Sequence, residues 1–123
     1  MIDWPGVSMR IELRRAPRYK LVANAEVVEL QSDRHFKART SEVSLLGCYV
    51  NSVNWLPAGT EIRLRVTRDD STFAALGTVV RSTPAMGMGV KFSVIELDQQ
   101  ALLKKWLTEA GARPSSSVFR LTS

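Results

Sequence analysis

From Glu61 to Arg68 the chain reads Glu-Ile-Arg-Leu-Arg-Val-Thr-Arg, with polar and apolar residues in strict alternation. A period of two puts successive side chains on opposite sides of an extended backbone, so this segment buries a single apolar face only as a β-strand. Met88, Val90, Phe92 and Val94 alternate in the same way with Gly89, Lys91 and Ser93. Strand character also runs through Lys20–Leu30, Phe36–Val43, Leu46–Asn51 and Thr72–Arg81. Turn chemistry separates these runs: Gln31-Ser32-Asp33-Arg34, Pro57-Ala58-Gly59, Arg68-Asp69-Asp70-Ser71 and Pro84-Ala85-Met86-Gly87. Six short strands joined so briefly favour an antiparallel barrel or sandwich over a parallel sheet with crossover helices.

The period changes after residue 95. Leu102, Leu103, Trp106, Leu107 and Ala110 form one stripe of an α-helix. Asp98 is expected as its N-cap, and Gly111 as the residue just past its C-terminal end. Packing of the stripe on the sheet or over a barrel opening is the expected role; a partner-binding face is the alternative. The reading divides the chain into a flexible arm (1–12), a folded domain (13–110) and a flexible tail (111–123).

Composition excludes several chemistries. With 123 residues, 45% of them hydrophobic, the chain is long enough for one domain with its own core. The single cysteine, Cys48, and single histidine, His35, rule out an internal disulfide and a zinc site made of protein Cys and His alone. His35 lies in the polar stretch Ser32-Asp33-Arg34-His35 and is expected in a loop rather than as a catalytic base. Cys48 alternates with Val50 and is expected to be a buried small hydrophobe, not a reactive thiol. Gly87-Met88-Gly89-Val90 lacks the third glycine of a dinucleotide loop, and no G-x-S-x-G elbow is present. No enzyme is expected, no metal site and no cofactor. No apolar run reaches the ~20 residues of a spanning helix, and Met1–Gly6 lacks a basic start leading into an apolar stretch. The expectation is a cytoplasmic protein without membrane insertion.

The formal charge is +5, and its placement says more than its size. Arg10–Lys20 holds five cations and one acid, Glu12. Within it, Leu13-Arg14-Arg15-Ala16-Pro17-Arg18-Tyr19 carries three arginines in five positions, and Pro17 biases Ala16 towards extended geometry. The segment is therefore an arm leading into a sheet. A guanidinium fork suits phosphate oxygens and the O6/N7 edge of guanine; a solvated basic stretch is the plain alternative, and composition leaves the choice open. Further on, Glu42-Val43-Ser44-Leu45-Leu46-Gly47 offers a carboxylate, a hydroxyl and a glycine between two strands.

Arg14-x-x-x-Arg18 followed by Glu42-x-Ser44-x-x-Gly47 resembles the two signatures of the PilZ family, RxxxR and (D/N)xSxxG. Trp55–Thr60, Ala75–Arg81 and Met88–Phe92 resemble its later "L-x-x-G", "G-x-V-V-R" and "G-x-G-V-x-F" segments, so the likeness covers roughly residues 12–107. It implies a six-stranded antiparallel β-barrel with a C-terminal α-helix, acting as a non-enzymatic receptor for cyclic di-GMP. By the same resemblance, Arg14 and Arg18 contact phosphates and guanine edges, with Arg15 as a third cation. Ser44 bonds phosphate or base, and Gly47 lets the backbone come close. Glu42 stands where the family has Asp or Asn. Being one methylene longer, it misplaces a charged hydrogen bond at a cost of about 1.5–3 kcal/mol, or roughly ten- to a hundredfold in affinity. The implied mechanism is ordering of the arm by the ligand, which changes a surface read by an unidentified downstream protein. The alternative is an adaptor of the same fold with a vestigial nucleotide site. A barrel binding long nucleic acid is disfavoured, because the strands show no row of exposed aromatics for base stacking.

Overall fold

The computed structural model describes residues 16–118, with side chains through Gly111. Arg14, Arg15 and the expected arm (1–12) lie outside the described residues. The elements are β1 (Tyr19–Lys20), β2 (Asn24–Glu29), β3 (His35–Val43), β4 (Gly47–Asn51), β5 (Glu61–Arg68), β6 (Ser71–Thr83), β7 (Gly87–Val94) and α1 (Leu97–Val118). All strand pairings are antiparallel. The order β3-β2-β5-β6-β7-β4 closes on itself through a β3–β4 pairing, giving the expected six-stranded barrel, with β1 as an extra outer strand on β3.

The run expected as one strand from Lys20 to Leu30 is divided. Lys20 faces Glu42 and Asn24 faces Arg39, so three residues on one side oppose two on the other. The step leaves backbone groups of residues 21–23 off the regular ladder, and buried Thr40 satisfies two of them. Its hydroxyl accepts from Ala23 N at 3.0 Å and donates to Leu21 O at 2.6 Å.

Alternation places Ala25 and Val27, Cys48 and Val50, Ile62, Leu64 and Val66, Phe73, Ala75 and Val79, and Met88, Val90 and Phe92 in the barrel interior. Phe73 and Phe92 meet edge to face with centroids 5.4 Å apart. Val94, at the end of the alternating run, is exposed, because there the chain leaves β7 for the helix.

The helical stripe packs as core. Leu103, Trp106, Leu107 and Ala110 are buried against the barrel, and the Trp106 ring lies 6.3 Å from Phe73. Arg68 clips the outer side, over the Trp106 ring and 2.7 Å from the Glu109 carboxylate. Both helix ends differ from expectation. Glu96 O accepts the first helical bond, from Gln100 N at 2.8 Å, so Glu96 holds the N-cap position and Asp98 sits in the first turn. A carboxylate there is still favoured by the helix dipole. At the other end the helix continues past Gly111, which does not take a left-handed conformation. A Cβ at this glycine would stand 3.0 Å from the Tyr19 ring. Gly111 is small so that β1 can lie against the helix, not to end it.

Candidate ligand site

The site is built around an irregularity in β3. Opposite β4, the register steps between Thr40 and Glu42, leaving Ser41 as an extra residue. Before the step, even-numbered residues point inward (Ala38, Thr40); after it, odd-numbered Val43 does. A bulge of one residue exchanges the two faces of a strand. Without it Glu42 would enter the core. With it the carboxylate reaches the outer surface, 3.9 Å from the Arg18 guanidinium, in a pair so exposed that it is only a weak tether.

The turn from β3 to β4 is organised by Ser44. Its hydroxyl accepts from Leu46 N at 3.1 Å and Gly47 N at 3.2 Å, and its own amide donates to Gly47 O at 2.8 Å. The buried hydroxyl is thus engaged in shaping the turn. At Gly47 a Cβ would collide with Val90 O, so glycine is required for β4 to approach β7. Cys48, next in sequence, is buried, and desolvation pushes its thiol up to about 12. It is the small neutral wall that the alternation with Val50 indicates.

Arg18, Glu42, Ser44 and Gly47 border one open cavity of about 350 Å³. Its other side consists of Tyr49 on β4, Arg81 on β6, and Gly89 and Lys91 on β7; Arg81 and Gly89 are positions of the G-x-V-V-R and G-x-G-V-x-F segments, whereas Tyr49 and Lys91 fall outside the named motif positions. Arg81, Gly89, Tyr49, Glu42 and Lys20 stand directly opposite one another across five strands. The outward parity of Lys91, between buried Val90 and Phe92, is visible in the sequence. Its proximity to Glu42 is not, because that follows from β4 lying between β3 and β7. His35 is exposed at the start of β3, in the strand rather than in a loop. Among the described residues no cluster of three or more His, Cys, Asp or Glu side chains is placed to hold a metal ion.

The family model of the PilZ domain matches residues 12–109. The chain belongs to the PilZ family. Solved PilZ structures share its fold at low identity. The PilZ domain of CeSA from a cellulose-synthesizing bacterium is 16% identical over 76% of this chain and 97% of that one, with a TM-score of 0.62. The PilZ domain of YcgR from Escherichia coli, solved with c-di-GMP, is 12% identical over 88% and 98%, with a TM-score of 0.67. MrkH of K. pneumonia, in complex with c-di-GMP, is 15% identical over 85% of this chain and 55% of that one, also at 0.67. At such identities the likeness establishes the fold. No curated protein matches the chain by sequence. The PilZ match indicates no enzyme family, and no helix among the described residues is long and apolar enough to cross a membrane.

Proposed function

We propose that this PilZ chain is a receptor for cyclic di-GMP, and that ligand binding is read by a downstream protein. The observation that carries the reading is the convergence of Arg18, Glu42, the Ser44–Gly47 turn, Arg81 and Lys91 on one cavity. The ligand carries two phosphates and two guanines. Arginine and lysine answer the phosphates, while a carboxylate accepts from guanine N1–H and N2–H. The proposed site includes Arg14 and Arg15 as well, since they immediately precede the described part of the arm.

The Cys48 thiol is held neutral, the Ser44 hydroxyl is occupied by its turn, and no histidine lines the wall. Binding, with ordering of the arm over the barrel, is the chemistry available. The E. coli and K. pneumonia structures with c-di-GMP on the same fold support this choice of ligand.

Glu42 favours one second reading, an adaptor with a vestigial site. Its carboxylate faces Arg18 and must leave that cation when a guanine arrives. Calorimetric titration of cyclic di-GMP separates the two. The receptor reading expects saturable heat at protein concentrations on the order of tens of micromolar. It expects Arg18→Ala to weaken binding roughly tenfold or more, while Arg63→Ala on β5, outside the cavity, leaves it unchanged. A folded chain giving no heat would leave the adaptor reading.

A further inference from the structure

The barrel wall opposite the cavity is basic. In a ring ordered β3-β2-β5-β6-β7-β4, β5 stands across the barrel from β4, the strand that borders the cavity. On β3, β2 and β5 the outward positions fall into rows. Lys37 faces Glu26, and Glu26 faces Arg65. In the next row Val28 lies between His35 and Arg63, and in the row on the other side Asn24 lies between Arg39 and Thr67. Lys37, Arg39, Arg63 and Arg65 are all exposed. Neighbouring positions on one strand are roughly 7 Å apart, and positions across β2 roughly 10 Å. The four cations therefore share one patch.

The fold itself does not engage these cations. Among the described residues, none of the four side chains makes an ion pair or a hydrogen bond. Glu26 is the one acid in their midst, and Glu61 lies at the end of β5, two residues from Arg63. Other acids are segregated from the patch: Asp33, Asp69 and Asp70 lie in strand connections, and Glu96, Asp98 and Glu109 at or on the helix. Charged strand residues commonly protect the edge of a sheet. That account does not apply here, because β2, β3 and β5 are each paired on both sides. Apolar residues continue the Arg63 row: half-buried Leu76 is paired with Arg63, and Val94, 53% exposed, is paired with Leu76.

Three kinds of anionic partner answer such a patch, and its composition separates them. A phosphate chain or a layer of lipid headgroups brings negative charge against Glu26 at the centre. A lipid plane also meets a convex barrel wall along little more than one strand, and the outward positions of the patch hold no aromatic ring for base stacking. A protein surface, by contrast, supplies carboxylates to the cations, an amide or lysine to Glu26, and apolar contact to Val28, Leu76 and Val94. Arginine set among apolar residues is characteristic of protein interfaces. We propose that this face docks an acidic surface of a partner protein. The proposal rests on the part of the reading above in which a downstream protein is engaged, and not on cyclic di-GMP. With β5 opposite β4, partner and nucleotide occupy different walls and do not compete.

The test titrates the full chain into a short fluorescent peptide of Glu-Glu-Leu repeats and follows anisotropy at physiological ionic strength, where exposed charges act over about 8 Å. Saturable binding is expected, and its loss when Gln replaces Glu in the peptide. Arg63→Gln combined with Arg65→Gln should weaken binding roughly tenfold. Lys104→Gln combined with Lys105→Gln removes the same charge from exposed helix positions and should stay within about twofold of the parent. Thermal melting checks that each variant folds; Lys37→Gln with Arg39→Gln, on another strand of the patch, should repeat the β5 result. Equal losses from the patch and the helix pairs would mean that only net charge matters, and would overturn the proposal. So would a parent that ignores the peptide. Phosphatidylglycerol vesicles or a single-stranded oligonucleotide that bind more tightly than the peptide, and lose affinity on the same β5 substitutions, would reassign the face to a membrane or a nucleic acid. Calorimetry with cyclic di-GMP keeps the two readings apart, since the β5 variant should bind the nucleotide as the parent does. A parent that binds the peptide but gives no heat with cyclic di-GMP loses the receptor reading and keeps the docking face.

Discussion

At the scale of single residues, two buried polar groups show opposite ways of meeting the cost of burial. Thr40 is satisfied twice by the interrupted backbone at residues 21–23. Thr40→Val keeps the shape and removes the hydroxyl, leaving an amide and a carbonyl unpaired in the interior. A loss of about 1–3 kcal/mol is expected, seen as a lower urea midpoint at an unchanged m-value. Cys48 avoids the cost by staying neutral, its thiol raised from 9.0 to about 12. The folded protein therefore keeps a proton that the unfolded chain sheds between those values. Stability should fall as pH rises from 9 towards 12, and this group adds no pH dependence below pH 9. Alkylation by iodoacetamide at about pH 8, just below the ordinary thiol value, should accordingly track unfolding; rapid labelling of the native protein would contradict the buried, neutral thiol.

At the scale of elements, the period-two runs and the helical stripe already specify where strands and helix lie, because each period is local and follows from which face is buried. Their ends and faults were less legible. Gly111 looks like a helix stop by residue type, yet its smallness serves the ring of Tyr19, at the far end of the described chain. Ser41 looks like any strand residue, and its status as a bulge appears only against β4. The helix itself is tied down by Trp106, buried against Phe73 and under Arg68. Trp106→Ala should cost about 3–5 kcal/mol, a large share of the ~5–15 kcal/mol by which such domains are stable. Chemical denaturation followed by circular dichroism measures it. A loss below about 1 kcal/mol, the size of an ordinary surface or single-methylene change, would mean that the helix contributes little to the core.

At the scale of the whole molecule, the cations of the cavity come from distant parts of the chain, and the net charge is +5. Long-range attraction of a dianionic ligand should be screened by salt. Affinity for cyclic di-GMP should fall measurably between low and physiological ionic strength, and less so in Arg18→Ala, which has a cation fewer. Titration at two salt concentrations checks this; an affinity indifferent to salt would argue against phosphate recognition by these residues.

Read along the chain, local pattern suffices for the strands, the helical stripe and the buried cysteine, and the short motifs single out Arg18, Glu42, Ser44 and Gly47 at the rim of one cavity. All of these rest on local period, local turn chemistry or recognisable short patterns. Which strands are neighbours emerges only in three dimensions. Pairing β4 with both β3 and β7 closes the barrel and carries Tyr49, Gly89, Arg81 and Lys91 to the side facing Glu42. The folded sheet also turns Glu42 outward through a single extra residue and explains Gly47 by a carbonyl on another strand. Alternation states which face of a strand is buried, but the choice of partner strand depends on the closure of the whole sheet, which no local period encodes.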